Sequence, residues 1–133
     1  MFRKIGAVIL LVSNMDSSVD FYQNTLGLEL KNRSKEWTEF IKNGTVLALN
    51  QTKIKNIMKD GVLIGFKVGN LDDVCIKLKK KNVKFVQEPI EEEYGKNAII
   101  RDPDGYMISI IEMKLSEEEE MKQTPGFYGF APA

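Results

Sequence analysis

Residues 7–22 read AVILLVSNMDSSVDFY, and residues 63–78 read LIGFKVGNLDDVCIKL. Laid side by side, Val12 falls on Val68, Asn14 on Asn70, Met15 on Leu71 and Asp16 on Asp72, each pair 56 residues apart. Both begin as an apolar run short enough for a buried strand, pass through Asn/Asp capping chemistry, and continue with apolar residues at helical spacing. A repeated strand–cap–helix unit is the signature of a chain built from two copies of one module.

Working outward, the order of elements matches in both copies. Asn14 or Asp16 can accept the orphan amide hydrogens of a first helical turn, Val19, Phe21, Tyr22 and Leu26 form a broad apolar face, and Gly27 is a suitable C-cap. The second helix starts at Asn70 to Asp72 and is predicted to bury Val74, Ile76 and Leu78, with KLKKK as a solvated face. Strands start at GLEL (27–30) and NVKF (82–85). Two further strands follow in each copy, joined by Asn43-Gly44 in the first and by DPDG (102–105) in the second. The pattern is β-α-β-β-β twice. Residues 1–50 form the first module, 51–60 a polar linker, 61–113 the second module, and 114–133 an acidic then aromatic tail whose Phe127, Tyr128 and Phe130 are available to dock.

Composition narrows the function. The 133 residues are 43% apolar and 29% charged, as expected of one globular domain overall. Lys+Arg 19 against Asp+Glu 19 removes the electrostatic footprint of a nucleic-acid binder. The N-terminal MFRKIGAVILLVSN has basic residues before an apolar run, but no A-x-A-like site follows and the run is too short to span a bilayer; it reads as a strand, with no membrane partner. The single cysteine, Cys75, lies in an amphipathic stretch and reads as a buried thiol in a reducing cytoplasm. With no histidine in the chain, Ser-His and Cys-His triads and every His-liganded metal site are excluded.

The paired modules, VSNMDSSVDFYQNTLGLEL after the first strand, EFIKNGTVLAL in the first hairpin and RDPDGYMISIIE near the end resemble the vicinal oxygen chelate superfamily, which includes glyoxalase I, bleomycin-resistance proteins and extradiol dioxygenases. The resemblance covers roughly residues 3–113. It implies an α+β fold of two βαβββ modules forming a curved mixed-sheet half-barrel with a central cleft and the helices outside, and it implies a homodimer.

Enzymes of that superfamily hold a divalent metal through the first and last strands of each module. The resemblance carries those positions to Ala7 and Leu63 in the first strands and to Ala48 and Ser109 in the last. One neutral hydroxyl among three apolar side chains cannot hold a divalent ion, so no metal and no cofactor are expected. Alternation on the implied strands puts Ile5, Ala7 and Ile9 with Gly61, Leu63 and Gly65 on inner walls, and Ala48, Asn50, Met107, Ser109 and Ile111 beside them. Across the Asn-Gly turn, Glu39 faces Ala48, Trp37 faces Asn50 and Ile41 faces Val46, which makes Glu39 the one candidate catalytic carboxylate. Such a surface suits a small apolar or aromatic molecule held by burial, stacking and a few orienting hydrogen bonds. The expected function is metal-free binding or sequestration of that molecule. The alternatives are a lyase, isomerase or dioxygenase-type enzyme acting without metal or with a relocated metal site, and an interaction module working through its sheet edges or tail.

Overall fold

A computed structural model describes residues 1–3, 5–42, 45–57, 59–93 and 95–114; the Asn43-Gly44 turn and the tail beyond Lys114 lie outside the described residues. The chain divides into two compact units, Met1–Ile57 and Met58–Ala133. In the first unit β1 (Ala7–Val12) leads into α1 (Met15–Asp20), followed by β2 (Leu30–Arg33), β3 (Trp37–Lys42) and β4 (Thr45–Gln51). The second runs β5 (Leu63–Lys67), α2 (Leu71–Lys80), β6 (Phe85–Glu92), β7 (Gly95–Arg101) and β8 (Met107–Met113). Each unit is a four-stranded mixed sheet, in the orders β1-β4-β3-β2 and β5-β8-β7-β6. The first strand pairs parallel with the last, and the remaining pairs are antiparallel. This is the α+β, twofold β-α-β-β-β architecture that the repeat implies.

Parallel pairing of first and last strands requires a crossover, and in both units the helix supplies it. The two helices start alike. Asn14 Oδ1 accepts from Ser17 N at 3.0 Å, and Asn70 Oδ1 accepts from Asp73 N at 3.1 Å. Of the two candidate caps in the first copy, Asn14 is therefore the one used, while Asp16 pairs with Arg33. A second acceptor reaches each helix from the end of the last strand. Gln51 Oε1 takes the Met15 N–H at 2.8 Å, and Glu112 Oε1 takes the Leu71 N–H at 2.8 Å. Gln51, the first residue of the segment read as the connection, thus closes β4 and ties it to α1.

These ties fix which strand residues face the helix. In β4, Leu47 and Leu49 share the parity of Gln51; in β8, Ile108 and Ile110 share that of Glu112, and all four are buried. Thr38 and Phe40 of β3 face the same way, since Thr38 Oγ1 approaches Met15 Sδ at 3.3 Å and the Phe40 ring lies 6.1 Å from that of Tyr22. Burying large side chains such as Tyr22, Phe40 and Leu49 stabilises by about 1.5–3 kcal/mol each.

Three local expectations change. The first helix does not stay α-helical to Gly27: Phe21–Thr25 form a π-helical turn closed by the Leu26 N–H on Phe21 O, and only then does Gly27 end it at φ +77°. In α2 the buried set is Leu71, Cys75 and Leu78, spaced four and three apart, so Ile76 is rotated off the apolar stripe and is 55% exposed. Ile5 and Gly61 precede β1 and β5 and belong to no strand. The lysine-rich end of α2 is exposed as expected, with Lys79 paired to Glu88 at 2.6 Å. The DPDG turn also forms: the Asp102 carboxylate accepts from Asp104 N and Tyr106 N, and Gly105 adopts φ +95°.

Two outcomes follow from this packing. Gly95 opens β7 at φ +152°, and a Cβ there would lie 2.0 Å from the Glu112 carbonyl oxygen. Gly95→Ala should therefore break the start of the β7–β8 pairing and lower stability by at least ~2 kcal/mol in urea unfolding; a loss below the error of the measurement would contradict it. Cys75 is 4% exposed, and burial pushes its thiol above the usual value, so little thiolate exists at neutral pH. Ellman's reagent should leave the native protein unmodified for minutes and titrate one thiol in guanidinium chloride.

Candidate functional site

With one sheet face committed to the helix, the opposite face of each unit carries the candidate residues. On unit 1 the register lines them up in rows across β1, β4 and β3. Ile9, Ala48 and Glu39 form one row; Leu11, Asn50 and Trp37 form the next; Ala7, Val46 and Ile41 form the third. The three cross-strand pairs expected from the hairpin, Glu39–Ala48, Trp37–Asn50 and Ile41–Val46, are all formed. Ala48 is fully buried, whereas Ile9 is 50% exposed at the sheet edge.

Glu39 is not a free carboxylate. Trp37 Nε1 donates to its Oε2 at 2.8 Å, and Lys31 Nζ lies 3.8 Å from its Oε1. Both partners come from the same sheet, Trp37 two residues earlier on β3 and Lys31 on the neighbouring β2. The geometry therefore presents an aromatic surface whose polar edge is already engaged.

On unit 2 the rows cross β5, β8 and β7. Leu63, Met107 and Arg101 form the first; Gly65, Ser109 and Ile99 the second; Lys67, Ile111 and Asn97 the third. Ile99, Ile111, Ser109 and Asn97 are buried. Arg101 Nη1 is engaged by Asp60 Oδ1 at 2.9 Å and the Gly105 carbonyl at 2.7 Å. Gln87 and Asn97 were missing from the residues singled out in the sequence. Gln87 Nε2 donates to Asn97 Oδ1 at 3.3 Å, and Asn97 shares a face with Ser109. Reading β7 by alternation from Ala98 would have found Asn97, a polar residue at an inward position of a strand that is otherwise apolar at its centre.

The donor chemistry can be tested against a divalent ion. Ala7, Ala48 and Leu63 offer only carbon, Ser109 offers one neutral hydroxyl, and among the described residues no three of His, Cys, Asp and Glu come together. These residues do not fit a metal. A separate open groove of about 600 Å³ lies at the start of α1, lined by Ser13, Asn14, Arg33, Ser34 and Gln51 among others. Asn14, Arg33 and Gln51 there are already committed to the helix cap and to Asp16.

Comparison with known proteins agrees with this fold. Residues 4–110 match the model of the Glyoxalase/Bleomycin resistance protein/Dioxygenase superfamily. The chain is 31% identical to a lactoylglutathione lyase of Neisseria meningitidis over 132 residues, spanning 87% of this chain and 95% of that one. Among solved structures, TnmS3, an antibiotic binding protein from Streptomyces sp. CB03234, superposes with a TM-score of 0.71 at 20% identity, covering 85% of this chain and 98% of that one. A lactoylglutathione lyase from Agrobacterium tumefaciens does so with a TM-score of 0.67 at 16% identity, covering 82% and 92%. Among the described residues no helix is long and apolar enough to cross a membrane. With a family match spanning most of its length, the chain belongs to the Glyoxalase/Bleomycin resistance protein/Dioxygenase superfamily.

Proposed function

We propose that this protein binds a small apolar or aromatic molecule on a sheet face opposite its helix and does so without a metal. The observation that carries the reading is the donor set. Where the resemblance to the superfamily's enzymes calls for metal ligands, the strands carry Ala7, Ala48, Leu63 and Ser109. The surrounding Ile9, Trp37, Asn50, Gly65, Met107 and Ile111 add apolar area, one large ring and few polar points, a composition suited to burial and stacking. The fold shared with an antibiotic binding protein supports the same direction. Association into a homodimer and a reducing, cytoplasmic setting belong to this proposal, the latter supported by the single free thiol of Cys75.

The sequence relation to lactoylglutathione lyases favours one second reading, a metal-independent lyase or isomerase with Glu39 as its base. Its carboxylate is engaged by Trp37 and Lys31, which leaves it poorly placed to take a substrate proton.

Two measurements separate these readings. Calorimetric titration with Zn²⁺, Ni²⁺ or Mn²⁺ should give no saturable heat, and the protein should form no S-lactoylglutathione from methylglyoxal and glutathione above background with any of these ions. Fluorescence of Trp37, the single tryptophan, should be quenched saturably by 2-acetylnaphthalene and be unaffected by EDTA. Metal-dependent turnover would overturn the proposal. Turnover without metal that Glu39→Gln abolishes would establish the second reading.

A further inference from the structure

Unit 2 contains two polar groups that the fold leaves unsatisfied. Asn97 and Ser109 are 0% and 1% exposed, yet among the described residues Asn97 Nδ2 and Ser109 Oγ have no hydrogen-bond partner. Gln87 holds the other end of the Asn97 amide through its Oδ1, which orients the N–H pair away from Gln87. In the β7–β8 register Asn97 lies opposite Ile111 and Ser109 opposite Ile99, so the two are diagonal neighbours on one face. Diagonal positions sit about 7–8 Å apart between backbones, close enough for two side chains to converge on a single atom.

The surroundings define what that atom belongs to. Ile99, Ile111 and Met107 share the face, and Gly65, opposite Ser109 on β5, contributes no side chain. Arg101 is paired with Asp60 and donates to the Gly105 carbonyl, and Lys67, at the β5 end of the Asn97 row, is exposed to solvent, so Ile99, Ile111 and Met107 are the neighbours that set the character of the face. A buried polar group without a partner is a net cost to folding, and native proteins hold few of them. Leu at 97 and Ala at 109 would avoid that cost. Both orphaned groups can donate, so the partner that completes them is an acceptor.

The geometry points to Asn97 and Ser109 as a two-donor anchor for a carbonyl oxygen on an otherwise apolar, neutral ligand, with Gln87 as the positioning residue. This rests on the binding reading above and adds the ligand's chemical class, an aromatic ketone or ester in place of a charged or purely hydrocarbon molecule.

The test compares 2-acetylnaphthalene with 2-isopropenylnaphthalene, which keeps the shape and replaces the carbonyl oxygen by a methylene. Wild-type protein should bind the ketone about tenfold more tightly, the scale of one net hydrogen bond, and only the ketone should shift the Asn97 side-chain amide resonances. Ser109→Ala and Asn97→Leu should each bring the ketone towards parity with the hydrocarbon while leaving the thermal midpoint unchanged or higher, as expected when an unsatisfied group is removed. If Asn97→Leu does not fold, Ser109→Ala decides alone. Equal binding of both probes by the wild type would overturn the anchor and leave apolar binding intact, with water then satisfying the two groups. A ketone preference that survives both substitutions would overturn it as well. Failure of both probes to bind would overturn the anchor and the binding proposal together.

Discussion

A side-chain acceptor at the end of a strand, bonded to the first amide of a helix, sets the geometry of each unit. Gln51 does this for Met15, and Glu112 does it for Leu71, both at 2.8 Å. The bond satisfies a donor that a helix start would otherwise leave open, two residues before the amide capped by Asn14 or Asn70. It also fixes the phase of the last strand. Because side chains alternate, pinning residue 51 or 112 toward the helix commits 47 and 49, or 108 and 110, to the core and turns 48 and 50, or 109 and 111, to the other face. A one-residue slip would exchange those sets and expose the core.

That commitment is what gives the superfamily fold a second usable face. In unit 1 the face carries Trp37 with its indole N–H already bonded to Glu39, so what it offers is ring area more than polarity. In unit 2 it carries Ile99 and Ile111 around the unsatisfied Asn97 and Ser109. On the proposed binding reading, shape and burial are the means of recognition, and a neutral hydroxyl or amide sets orientation. A shared fold does not by itself transmit a reaction, and the relation to lactoylglutathione lyases is compatible with a chain that binds without turning over.

Much of the fold was legible because the repeat states it twice. The Asn/Asp pairs at 14–16 and 70–72 mark both helix starts, and the hairpin register of Glu39, Trp37 and Ile41 follows from the Asn-Gly spacing. What was not legible has physical causes. The π-helical turn at Phe21–Thr25 inserts one residue per hydrogen-bonded ring and leaves no mark in an apolar pattern. Ile76 misled because hydrophobicity alone does not say which of two adjacent apolar residues lies on the buried stripe; the i, i+4, i+7 spacing of Leu71, Cys75 and Leu78 does. Gln51 reads as the start of the polar linker and nothing local marks Glu112, because the role of each depends on a contact 36 or 41 residues away. Asn97 was hidden for the opposite reason: it sits among apolar neighbours, and only the strand register reveals that it shares a face with Ser109.

The central claim is that the protein binds a neutral organic molecule, and no metal, on a sheet face opposite its helix. Native mass spectrometry of freshly purified protein, sprayed under gentle and then denaturing conditions, reads subunit mass, bound ions and carried-over ligand in one experiment. A metal-free subunit, releasing an organic mass when a ligand has been carried through purification, is the expected result. A stoichiometric divalent ion retained under gentle conditions would contradict it and would require ligands other than Ala7, Ala48, Leu63 and Ser109.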